Sequence, residues 1–154
     1  MKKMVVLLSV FLFCLSGIAR DLGTSWVVTD EGKIECKKVV IGYNHARIVL
    51  GNGQKSSVEL SRISSFSADG KVYTKLPLYK DGKPTNKMMF MEHIKTCGEL
   101  SLYKCTMCNL GSPDPKETID QYFLYNGTKL HLALDEKTLP NICKHFGVSY
   151  SYAK

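Results

Sequence analysis

The chain has 154 residues, of which 44% are hydrophobic and 23% charged, and removing a leader that holds Lys2 and Lys3 takes its formal charge from +7 to +5. That length suits one domain with a real core and is short for two. The positive charge never forms a run of more than two adjacent basic residues, which excludes the concentrated basic element of a nucleic-acid binder.

The first residues read as an export signal. "MKK" is a short positive segment, "MVVLLSVFLFCL" an uncharged apolar one, and "SGIA" places Gly17 and Ala19 where a signal peptidase needs small residues. Cleavage is expected after Ala19, so residues 1–19 form the signal peptide and 20–154 the mature chain. The apolar run is shorter than the roughly 20 residues that cross a bilayer, and Arg20 and Asp21 end it. Phe11 and Phe13 stand where a lipobox needs Leu and a small residue before Cys14. Cys14 is therefore expected to leave with the signal, unlipidated.

Hairpin signals fill the mature chain. "KIECKKVVIGY" is rich in β-branched residues and predicts a strand over Ile34–Ile41. Strands are expected at Ala46–Leu50 and Ser56–Leu60 around Asn52-Gly53, a pair that tolerates the positive φ of a tight turn. Asp69-Gly70 repeats the device in "ISSFSADGKVYTKL". Leu76–Lys87 holds two prolines and several lysines and reads as an exposed connection or edge excursion. The next hairpin is expected to turn at Cys97-Gly98, with strands Met88–Lys95 and Glu99–Thr106. "YFLYNGTKLHLAL" turns at Asn126-Gly127, and Leu130, Leu132 and Leu134 alternate behind it as in a half-buried strand. "TLPNICKHFG" predicts a helix, with Thr138 as N-cap, Pro140 in the first turn and Gly147 after the end. Leu139, Ile142, Cys143 and Phe146 form its apolar stripe.

These elements predict a mainly β fold with an α+β margin. Antiparallel hairpins, about seven strands in all, form a small sheet, sandwich or partly open barrel with one short C-terminal helix. A single domain over 20–154 is expected, with two β lobes joined near 76–87 as the alternative.

"TCGELSLYKCTMC", residues 96–108, carries three of the six cysteines. Eight strand residues span about 26 Å, which separates Cys97 from Cys105 beyond a shared metal or disulfide. Cys105 and Cys108 have the spacing of a thiol–disulfide oxidoreductase. In that chemistry the first cysteine sits at a helix N-terminus, whereas here it follows a strand and precedes the turn-rich "NLGSPDPKE". Cys143 and His145, two apart on the expected helix, point to different faces. The mature cysteines Cys36, Cys97, Cys105, Cys108 and Cys143 are odd in number, so at least one stays free or pairs between chains. Export permits pairing.

No nucleophile elbow, zinc-protease helix or phosphate loop is present in the sequence. Glu92 and His93 are strand neighbours and so point to opposite faces. Asn126-Gly127-Thr128 matches a glycosylation sequon and reads more simply as a turn. The acids of "SPDPKE" lie in a proline turn rather than a calcium loop.

The order of "LGNGQKSSVEL", "ISSFSADGKVYTKLPLYKDGKP", "MFMEHIKTCGELSLYKC", "YFLYNGTKLHLAL" and "LPNICKHFG" resembles small exported proteins of unknown function from Gram-negative, gut-type bacteria. The resemblance spans Lys33–Gly147. It rests on structural motifs, among them the hairpins Gly98–Tyr103 and Tyr122–Gly127. It implies export and a β fold, and it transfers no active site. Cys97, Cys105 and Cys108 are not among the residues that carry it.

The sequence therefore assigns no catalytic, cofactor-binding or metal-ligating residue. It points to a non-enzymatic exported binding or interaction module of the bacterial envelope, whose partner is an envelope protein or glycan, with no nucleic acid and no transmembrane span in the mature protein. Its eight tyrosines supply aromatic surface candidates. One alternative is an enzyme whose site assembles only in three dimensions, with His93, His131 and Glu92 as participants. A second is a zinc-binding module using Cys105 and Cys108.

Overall fold

A computed structural model describes residues 24–108, 113–114 and 116–149. The expected signal peptide, Cys14, Tyr150 and Tyr152 lie outside the described residues, as does part of "SPDPKE". The described residues are 65% strand and 9% helical, which makes the fold mainly β, as expected. Among the described residues eleven antiparallel strands form two sheets. They are β1 (Ser25–Thr29), β2 (Gly32–Cys36), β3 (Lys38–Ile41), β4 (His45–Val49), β5 (Lys55–Glu59), β6 (Ile63–Ala68), β7 (Lys71–Lys80), β8 (Lys83–Cys97), β9 (Leu100–Cys108), β10 (Thr118–Asn126) and β11 (Lys129–Leu134). Among the described residues one α-helix, α1 (Leu139–Phe146), follows. The large sheet has the order β11-β10-β9-β8-β7-β6-β1-β2 and is not closed, and the small one is β3-β4-β5.

Turn chemistry explains the long meander from β6 to β11. Asp69 and Asp81 both have φ of +52° and each precedes a glycine at +74°. That is the double positive φ of a type I′ turn, whose twist matches the strands it joins. The second of these turns corrects the reading of Leu76–Lys87. It is a paired hairpin, with Lys80 opposite Lys83 and Pro77 opposite Met88. Its prolines are tolerated because the register shifts between Pro77 and Tyr79 and breaks the ladder there.

The expected strand Ile34–Ile41 is two strands in different sheets. The chain bends at Lys37, whose amide bonds to the Val49 carbonyl at 2.7 Å. From there the small sheet folds over the large one. Its inner residues Val39, Ala46 and Ile48 pack on Val27, Ile63 and Phe66, with Cys36 at the same junction. Phe66 stacks on Tyr73 at 4.8 Å and meets Phe90 edge-on at 5.1 Å.

The other half of the large sheet is covered differently on each face. Leu102 and Tyr103 are successive residues of β9 and so point to opposite sides, yet both are buried. On one side α1 lays Leu139, Cys143 and Phe146 over Leu102 and Leu124. On the other, Leu76, Met91, Tyr103, Cys105 and Tyr125 form a separate cluster. A bulge sorts the three alternating leucines of β11 between these cores. Leu124 faces Leu132 and Tyr125 faces Leu130, which leaves His131 as the extra residue. Leu130 therefore joins the tyrosine cluster, Leu134 joins the helix side, and Leu132 stays 41% exposed.

The helix start also differs from the expected one. Thr138 is helical itself (φ −88°, ψ −32°) and caps nothing with its side chain. Asp135 organises the entry instead. Its carboxylate accepts the Lys137 and Thr138 amides at 3.0 and 2.8 Å, and its carbonyl accepts the Leu139 amide. The Thr138 hydroxyl also donates to this carboxylate, at 2.8 Å, and that bond, followed by the amide bonds, holds the Asp135 pKa below the usual carboxylate value. Gly147 ends the helix in the left-handed region, as expected, at φ +62°.

Candidate functional site

The residues with catalytic potential do not converge. Glu92 and His93 lie on opposite faces of β8 and have separate partners. Glu92 pairs with Lys71 at 3.2 Å and Lys104 at 3.3 Å, and Lys104 also reaches Asp120 at 3.7 Å. Two cations and two anions alternate along this row, so it is internally neutralised. Burial alone would pull the Lys104 pKa down; the Glu92 hydrogen bond and the charges of Glu92 and Asp120 outweigh it and hold it above lysine's ordinary value. His93 Nε2 lies 2.8 Å from Thr96 Oγ1, which lies 2.7 Å from Ser101 Oγ, and its ring meets Tyr103 edge-on. His131 is exposed on the edge strand.

The cysteines separate by strand parity. The hairpin turns one residue later than expected, at Gly98-Glu99, with Cys97 opposite Leu100. β9 runs unbroken to Cys108, so Cys105 and Cys108, three apart, face opposite sides. Cys105 is buried in the tyrosine cluster and Cys108 is exposed. One metal ion cannot take both. Burial pushes the thiols of Cys36, Cys105 and Cys143 up. Cys97 Sγ comes within 4.0 Å of His145 Nε2. Among the described residues no three His, Cys, Asp or Glu side chains gather around a metal-sized space. Asn126 ends β10 opposite Lys129, as its turn reading implied.

Two surface grooves differ in how their charges are used. The first, about 560 Å³, includes Asp30, Arg62 and Lys75. Arg62 is committed to Asp30 at 2.9 Å and Glu31 at 2.6 Å, and Lys75 donates to the Leu60 and Ser61 carbonyls. Arg62 is thus neutralised there, and the Lys75 ammonium is tied down by backbone carbonyls.

The second groove, about 550 Å³, lies on the outer face of the small sheet. The register sets its rows. Lys38, Val49 and Lys55 lie side by side across β3, β4 and β5, and Val40, Arg47 and Ser57 form the next row. With strands about 4.8 Å apart, Lys38 and Lys55 start about 10 Å apart, with Arg47 two residues along. All three cations are exposed, and no ion pair among the described residues engages them. Glu59, the one acid of these strands, stands a row further on, opposite His45, and accepts the Ser61 hydroxyl.

Beyond that row the β3–β4 hairpin turns tightly. The Gly42 amide bonds to the His45 carbonyl at 2.9 Å, and Asn44 accepts the Leu60 amide at 2.9 Å. A Cβ at Gly42 would sit 2.9 Å from the His45 carbonyl oxygen. Gly42→Ala is therefore expected to destabilise the chain by about 1–3 kcal/mol, as overpacking does. Chemical denaturation checks this, and an unchanged midpoint would mean the tip relaxes freely. The hairpin presents Tyr43, 96% exposed, with Val40, 38% exposed, on the outer face before it and Ile41, equally exposed, turned to the opposite side.

The chain was compared with protein-family models, curated proteins and solved structures, and it matches none of them.

Proposed function

We propose that the chain is an exported, non-enzymatic binding module of the bacterial envelope, and that it holds its partner on the outer face of β3–β5. One observation carries this reading. Lys38, Arg47 and Lys55 share one exposed face with no ion pair among the described residues, the single acid there, Glu59, standing a row away, whereas the cations around Glu92 and Asp30 are paired. Like charges about 10 Å apart repel, and folding gains nothing from them because they point away from the core. An anionic envelope component relieves that repulsion. The leader-like first 19 residues support export, as does the resemblance to small exported proteins of gut-type bacteria. Among the described residues no helix is long and apolar enough to cross a membrane.

Expression in a Gram-negative host followed by fractionation tests both parts. The protein is expected in the envelope fraction, with an intact mass lacking Met1–Ala19 and carrying no acyl group. Arg47→Glu is expected to move most of it into the soluble periplasmic fraction. Recovery from the cytoplasm with Met1 retained would overturn export. Unchanged partition of Arg47→Glu would overturn the choice of face.

A further inference from the structure

We propose that the outer face of β3–β5, together with the Tyr43 tip, docks on an anionic lipid surface. This rests on the reading above that this face is the binding surface, and it names the partner's chemistry.

Two kinds of side chain meet here. Six large apolar residues are exposed among those described, and two of them serve this face: Val40 lies in the same row as Arg47, and Tyr43 stands at the hairpin tip beyond it. Apolar residues rimmed by cations mark surfaces that contact an apolar and an anionic phase at once. A bilayer interface offers both, with phosphates outside and acyl chains beneath.

The geometry disfavours other anions. A discrete small anion needs charged donors fixed around it, and here all three cations are exposed on flexible stems. An acidic protein would need a pocket to receive Tyr43, whose ring stands almost wholly clear of its own chain. The interfacial zone of a membrane needs none, because tyrosine settles at headgroup level at any lateral position. The tip is also preformed. Backbone hydrogen bonds at Gly42 and Asn44 fix it, so little ordering accompanies docking.

Co-sedimentation of the mature protein with lipid vesicles tests the proposal. Binding is expected to vesicles of phosphatidylcholine mixed with phosphatidylglycerol, to weaken as salt screens it, and to be absent with phosphatidylcholine alone. Each Lys or Arg near an anionic membrane contributes about fivefold in affinity, so Lys38→Ala, Arg47→Ala and Lys55→Ala together are expected to lower it about a hundredfold. Tyr43→Ser is expected to lower it roughly tenfold through lost apolar burial. Tyr43→Trp is expected to show a blue-shifted emission on the anionic vesicles only, above the baseline that Trp26 sets in the parent protein. These positions are exposed, so circular dichroism is expected to be unchanged. Equal binding to neutral vesicles, no binding at low salt, or binding indifferent to the three alanines would overturn the proposal. If the vesicles fail while envelope retention still depends on Arg47, the lipid is wrong, the face is right, and the partner is a protein or glycan.

Discussion

Phe146→Ala is expected to destabilise the protein by about 3–5 kcal/mol, the usual loss when a buried aromatic is truncated in a core. Phe146 is 3% exposed and closes the stripe that Leu139 and Cys143 begin. That stripe is what covers Leu102 and Leu124, residues of β9 and β10 that are 0% and 2% exposed. An eight-residue helix is marginal on its own in water, so α1 exists because it is docked. Removing its largest anchor leaves a void against two leucines and weakens the hold on the rest of the helix. Urea melts of the mature chain measure the loss. Ile142→Ala is the comparison, because Ile142 is only half-buried beside the same cluster and is expected to cost clearly less. A loss below about 1 kcal/mol for Phe146→Ala would mean that the helix is peripheral and that the leucines are covered by something else.

That helix was legible because its signals are local. A 3.6-residue stripe, an early proline and a terminal glycine lie within ten residues. The hairpins were legible for the same reason, since Asp69-Gly70 and Asn126-Gly127 mark turns whatever lies beyond them. Errors arose where a local reading has several outcomes. Asp135 and Thr138 are both competent caps, and only the path of the chain selects the aspartate. Cys97-Gly98 and Gly98-Glu99 are both possible turns, and the pairing chose the second. The β-branched run Ile34–Ile41 gave no sign that it changes sheets at Lys37, because β2 and β3 each supply their own buried residue, Cys36 and Val39.

The candidate site was illegible for a deeper reason. Lys38 is an even-numbered position, and Arg47 and Lys55 are odd. Nothing short of the pairing of Lys38 with Val49 and of Val49 with Lys55 puts them on one face. Each lysine alone reads as ordinary solvated charge. The residues that did look like chemistry, Glu92, His93 and the Cys105–Cys108 pair, were separated by the same alternation, which sends adjacent and odd-spaced strand residues to opposite sides.

The tyrosine cluster carries the second large effect. β10 and β7 are three strands apart, about 14 Å in a flat sheet. Yet the Tyr125 hydroxyl donates to the Pro77 carbonyl at 2.8 Å, and the Tyr125 ring meets Tyr79 of β7 at 6.3 Å. The sheet must therefore curl around this side chain, which is 1% exposed and also meets Tyr103 at 5.8 Å and Phe123 at 6.5 Å. Tyr125→Ala is expected to cost about 3–5 kcal/mol by emptying the centre of the curl. Tyr125→Phe keeps the ring and loses the hydroxyl, leaving a half-buried carbonyl unpaired, and is expected to cost about 1–2 kcal/mol. Titration separates the two roles. Burial, with smaller contributions from Tyr79, Cys105 and Tyr103, pushes the Tyr125 pKa up to about 12, against about 10 in an unfolded chain. The folded state then holds a proton that the unfolded state releases. The contribution is complete below about pH 10 and is lost as pH rises toward about 12. Denaturant midpoints measured across that range are expected to fall more steeply for the parent protein than for Tyr125→Phe, which has no proton to lose there. Parallel slopes would mean that Tyr125 ionises as freely as an exposed tyrosine, and that the curl of the sheet is held by something other than this ring and its hydrogen bond.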